Sequence, residues 1–155
     1  MRKCAGGRPD SALYCVKAFA LAAALSLVVC AQGLADIRIR SSPGGEVEAH
    51  LKYFKQIKNS GERVIIDGPC LSACTLVLST LPRNRICMTS RAVLGFHAPF
   101  IVDENGRTFR TRQVTQAMAA SYPAPVRNWL RRKGGLTPKL KFLKGKELAA
   151  MYPRC

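Results

Sequence analysis

The stretch "DGPCLSACTLVL", residues 67–78, sets Ser72 midway between Cys70 and Cys74, at the point where an apolar run begins. Serine in that place has three roles open to it: helix cap, nucleophile, or spacer between two bridged cysteines. His97 ends "AVLGFH", 25 positions downstream, and Gly45 ends "SPGG" upstream. A serine, a histidine and two backbone amides, those of Gly45 and Ala73, are a minimal set for acyl transfer. They would act as nucleophile, general base and oxyanion hole. Each feature also has a plain explanation: a cap, a strand-end histidine, a tight turn. The three together on successive strand ends are harder to explain that way. The other histidine, His50, and His97 lie in no zinc-ligand spacing with the cysteines, so neither a metal site nor a cofactor is expected.

The elements that must position these residues can be read from periodicity. "DIRIR", residues 36–40, alternates as a half-buried strand does and runs into the turn "SSPGG". Val47, Leu51, Phe54 and Ile57 then recur at helical spacing. Glu46 and Glu48 fall in the first turn, which the helix dipole favours, and Gly61 follows the last turn. "RVIID", residues 63–67, predicts a buried strand ended by Gly68-Pro69. A helix is expected from Ser72 to Leu81; "RNRIC" leads into another strand, and "AVLGFH" follows as a further one. "FIVDENGRTF" predicts a hairpin turning at Asn105-Gly106. The remainder reads as helical pieces: one before Pro123, one over Val126 to Lys133, and one opened by Thr137-Pro138. Alternating strands and helices predict an α/β fold with a parallel sheet and a C-terminal helical segment. If the strands ending near Gly45, Ser72 and His97 are neighbours, the three meet at their carboxyl ends.

Compartment follows from the amino-terminus. Arg2, Lys3, Arg8 and Lys17 precede the apolar run Ala18 to Ala31, 14 residues long. That length suits the core of a secretory signal better than a membrane span. Small residues at Gly33 and Ala35 suit cleavage before Asp36, giving a signal peptide over 1–35 and a single domain over 36–155. Removing residues 1–35 takes 4 of the 25 basic and 1 of the 9 acidic residues. What is left is 21 against 8, a net +13 over 120 residues. A periplasmic or secreted protein with that charge is expected to meet anionic envelope components rather than nucleic acid. Four cysteines remain: Cys70, Cys74, Cys87 and Cys155. In an oxidising compartment they predict two disulfides, with three pairings open. A thiol–disulfide exchanger built on Cys70 and Cys74 is the rival, but the spacing is not Cys-X-X-Cys.

"IRSSPGGEVEAHLKYFKQI", "VIIDGPCLSACTLVLS" and "RICMTSRAVLGFHAP" resemble, in order, the central motifs of the ClpP/crotonase superfamily. The likeness is nearest to small exported ClpP-like proteins of bacteria, related to the proteolytic subunit of Clp protease. It covers about residues 37 to 100 well and the rest loosely. The resemblance implies a small ClpP/crotonase-like core, Ser72 as nucleophile, His97 as general base, and oxyanion donors at Gly45 and Ala73. The family places an aspartate in the later helical part as third catalytic member, and no aspartate follows Asp103 in this chain. Glu147 and Asp103 are the candidates for that place. The section preceding the family's Pro-Gly-Gly turn is longer than "DIRIR", which puts the ring-forming surfaces in doubt and leaves a homo-oligomer open. The cysteines flanking Ser72 are not part of the family's pattern. An exported chain would meet no ATPase partner, so a peptide or protein substrate would be cleaved without ATP. The alternative is a catalytically decayed scaffold that binds envelope polymers.

Overall fold

The computed structural model describes residues 35–155, so the expected signal segment lies outside the described residues except for its last position. β1 (Ile37–Ile39) is the alternating "DIRIR" run, and α1 (Val47–Ser60) follows the Pro-Gly turn. α1 buries Phe54 and Ile57, as the helical spacing predicts, and Gly61 ends it in the left-handed conformation. β2 (Val64–Ile66) is buried on both faces, which is why its sequence is an unbroken β-branched run.

Beyond β2 the chain differs from the reading by periodicity. Pro69–Leu71 forms a strand of its own, β3. The expected helix from Ser72 divides into a 3₁₀ turn, Ser72–Leu76, and a single α-helical turn, α2 (Val77–Thr80). β4 (Ile86–Met88) and β5 (Val93–Phe96) come next, then the hairpin β6 (Ile101–Val102) and β7 (Thr108–Phe109). α3 (Arg112–Ser121) and α4 (Ala124–Arg132) flank Pro123 as expected. Thr137-Pro138 opens no helix. Residues Lys141–Lys144 form β8 instead, antiparallel to β5, with α5 (Gly145–Ala149) after it. The partner strand decided this: β5 offers a free edge, and β8 seats Leu143 fully buried against it while Phe142 is left half exposed.

One continuous parallel layer is also not what forms. β1, β2 and β4 make a parallel sheet in the order β1-β2-β4, and β3, β5 and β8 make a second sheet in the order β3-β5-β8. The division falls at Asp67-Gly68, between β2 and β3. The Asp67 carboxylate, 5% exposed, accepts hydrogen bonds there from Arg38, Thr89 and Arg91. A buried carboxylate is tolerable only when so paired. Arg91 foremost, then Thr89 and Arg38, hold its carboxyl far below the ordinary carboxylate range.

The core runs from Phe54 and Ile57 of α1 through the strands to Tyr122, Val126, Trp129 and Leu130. Phe96 joins the halves, with Tyr122 edge-on at 5.2 Å and Trp129 at 5.7 Å. Two disulfides close the framework, Cys70–Cys74 and Cys87–Cys155. The second straps the chain end beside β4, where the Met88 amide donates to the Pro153 carbonyl at 3.0 Å. Both bridges fit an oxidising compartment. Among the described residues no helix is long and apolar enough to cross a membrane.

Candidate active site

Ser72 and His97 stand just past the carboxyl ends of β3 and β5, which are parallel neighbours with Leu71 opposite Gly95. On the other side of β3, Ser42 bridges Cys70 in parallel, so the chain leading to Gly45 runs alongside. The three strand ends expected to converge do so, although β3 rather than β2 carries the serine.

Ser72 is held at φ +55°, the one non-glycine residue with positive φ among those described. Such a conformation costs roughly 1–3 kcal/mol and needs neighbours that over-determine it. Three sets of contacts surround it. The Cys70–Cys74 bridge closes a five-residue ring around the serine, with both cysteines buried. The Thr75 hydroxyl donates to the Ser72 carbonyl at 2.7 Å. That uses Thr75's only proton, so the Tyr122 hydroxyl, also 2.7 Å away, donates to Thr75 Oγ1. Burial pushes the Tyr122 phenol up to about 12, so it keeps the proton this relay needs. The third is Gly44, at φ +89°. A Cβ there would lie 2.5 Å from Ser72 Cβ and 2.6 Å from the Leu71 carbonyl oxygen.

Ser72 Oγ lies 2.7 Å from His97 Nε2, and His97 Nδ1 lies 2.7 Å from the Ala98 carbonyl oxygen. A carbonyl has no proton to give, so Nδ1 carries the proton and donates it. Nε2 is then the acceptor for the Ser72 hydroxyl, the tautomer a general base requires. Ala98 is itself fixed, since its amide donates to the Thr137 carbonyl at 2.8 Å. Gly45 and Ala73 both line the same cavity as Ser72 and His97. Ala73 is second in its 3₁₀ turn, where an N–H finds no partner within the helix. The Gly45 amide makes no backbone hydrogen bond among those outside regular helices and strands.

No family model and no curated protein matches this chain.

Neither carboxylate considered as a third member is the partner of His97. Asp103 accepts from the Asn105 and Arg107 amides and pairs with the Arg107 guanidinium at 2.8 Å within the hairpin turn. Glu147 faces Lys133 at 3.5 Å and is half exposed. The place beyond Nδ1 is taken by a backbone carbonyl. Cys70 and Cys74 are bridged to each other, and both are buried. Cys87 and Cys155 pair with each other, settling the connectivity.

The cavity measures about 800 Å³. Val47 of α1, Pro99, Phe100, Ile101 and Met118 of α3 are among the residues that line it. Thr75, Tyr122 and Ala98 were not singled out from sequence, and Gly44 only as part of the Pro-Gly-Gly turn. Thr75 alone carried a signal, a hydroxyl three residues after Ser72 and suited to bonding its carbonyl. A backbone carbonyl leaves no mark in sequence, and Tyr122 reaches the site only through tertiary packing.

Proposed function

We propose that the chain is an exported serine hydrolase, a peptidase that works without ATP on a ClpP/crotonase-like core. The observation that supports this best is the 2.7 Å contact between Ser72 Oγ and His97 Nε2 at the edge of a cavity. In this reading Ser72 Oγ attacks the substrate carbonyl carbon as its proton passes to His97 Nε2. The amides of Gly45 and Ala73 donate to the oxyanion, an interaction whose loss costs about 10²–10³ in rate per donor. His97 returns its proton to the leaving amine, and water then cleaves the acyl–Ser72 ester by the same route in reverse order of roles.

The Ala98 carbonyl orients the imidazole but offers a dipole where a carboxylate would offer a full charge. Loss of such a carboxylate lowers kcat by about 10⁴ in the triad proteases. Slow amide hydrolysis is therefore expected, with activated esters and phosphonylating reagents the better substrates. The test is labelling of the oxidised mature protein by a fluorophosphonate. Adduct at Ser72, absent from Ser72→Ala, is expected; no adduct from a protein with intact circular dichroism would refute the proposal.

A second reading, a decayed scaffold that binds anionic envelope components, draws on that same missing carboxylate and on the net +13 of residues 36–155. It predicts binding to anionic vesicles that weakens with salt and survives Ser72→Ala. Binding indifferent to ionic strength would count against it.

A further inference from the structure

We propose that the cavity beside Ser72 and His97 selects peptides that carry a lysine or arginine next to an apolar residue, with Glu46 and Glu48 as the specificity-determining carboxylates. The substrate sense of this rests on the hydrolase reading above; the binding preference does not.

The lining of the cavity is at odds with the rest of the molecule. Residues 36–155 carry 21 basic and 8 acidic side chains, yet the charged groups lining this cavity are two glutamates and no lysine or arginine. Both are exposed, and neither forms a salt bridge or side-chain hydrogen bond among the described residues, whereas Asp67, Asp103 and Glu147 all face a cation. Helix stability explains them only in part. Glu48 suits the first turn of α1. Glu46 occupies the N-cap, where serine, threonine, aspartate and asparagine are favoured, and its side chain makes no capping bond. Arg110 stacks its guanidinium 5.9 Å from the Phe100 ring centroid and does not line the space.

The remaining lining is largely apolar and includes Phe100, Ile101 and Met118. A ligand filling the space would place an apolar group there and a cationic group toward α1. The net positive charge of the molecule repels such a ligand at a distance. At physiological ionic strength, however, that field is screened over about 8 Å, while an ion pair formed at about 4 Å is not. Contact therefore outweighs the distant repulsion. Two exposed pairs together correspond to a preference of about tenfold.

The experiment measures binding of fluorescent peptides by anisotropy to the Ser72→Ala mature protein at physiological salt. The peptides are identical but for lysine, glutamine or glutamate beside a leucine. The lysine peptide should bind about tenfold more tightly than the glutamine peptide. The preference should shrink in Glu46→Gln and in Glu48→Gln, and vanish when both are changed. Glu104→Gln removes the same charge from the hairpin turn outside the cavity lining and should leave the preference intact. Equal affinity for the three peptides, or a preference that persists in the Glu46→Gln, Glu48→Gln protein, overturns the proposal. Fluorophosphonate labelling of wild type separates it from the hydrolase reading. Labelled Ser72 with no charge preference sinks only the selectivity, while selective binding with no labelling supports the selectivity and sinks the catalysis.

Discussion

At Ser72 the backbone conformation and the chemistry are tied together. A side chain at φ +55° relaxes unless its neighbours prevent it, and the Tyr122–Thr75–Ser72 hydrogen-bond relay is one of the restraints. Thr75→Val keeps the shape but leaves a buried phenol and a carbonyl unpaired. It should cost about 1–3 kcal/mol in urea unfolding, and Ser72 labelling should slow by more than global stability explains. Gly44→Ala tests the other side of the serine. Its methyl group meets backbone atoms that cannot swing away, so loss of labelling is expected even where the protein remains folded by circular dichroism. Residue type and spacing grouped Ser72, His97, Gly45 and Ala73, and all four line one cavity. What supports them was not, because Tyr122 is 50 positions from Ser72 and nothing local marks the pair.

Among the elements, legibility followed how far local pattern alone sets the conformation. α1 carries its full helical stripe and its terminal glycine, and its start and stop lie close to where sequence places them. β8 carries only "KFLK" and became a strand because β5 had an edge to fill. The two disulfides divide the work between elements. Cys87–Cys155 spans 68 positions and ties the terminal segment to β4, while Cys70–Cys74 spans four. Loop-closure entropy assigns roughly 4 kcal/mol to the first and roughly 2 to the second. Replacing Cys87 and Cys155 by alanine should therefore lower the melting temperature more. Replacing Cys70 and Cys74 should lower it less and yet reduce Ser72 labelling more, since that bridge encloses the serine. Thermal melts and labelling rates on the two double variants check this crossover.

For the molecule as a whole, Asp67 links the two sheets through Arg38 of β1, Thr89 after β4 and Arg91 before β5. Its folded-state pKa lies below the ordinary carboxylate value of 3.8, so its stabilising effect is complete above that value. The effect is lost as pH falls through 3.8 toward the folded value, because only the unfolded chain takes up the proton there. Acid melts should show stability declining below pH about 4, and Asp67→Asn should lower stability at neutral pH while flattening that decline. The sequence places Asp67 at a strand end, but its three partners lie 22 to 29 positions away and are set by how the sheets divide.

The carbonyl of Ala98 carries a consequence for what this scaffold can become. An imidazole whose second nitrogen faced open space could gain a carboxylate by one substitution and, on the proposed hydrolase reading, faster catalysis. Here that nitrogen is already engaged, by a peptide unit whose amide is fastened to Thr137 and whose next residue is Pro99, with its fixed φ. An introduced acid would have to break a bond rather than fill a gap, and the backbone could not yield without disturbing the turn that leads to Phe100. Improvement by single steps is closed on that side. A directed-evolution lineage selected for faster acyl transfer should accumulate changes first among cavity and oxyanion positions, and reach His97's far side only after the 98–99 turn has been rebuilt.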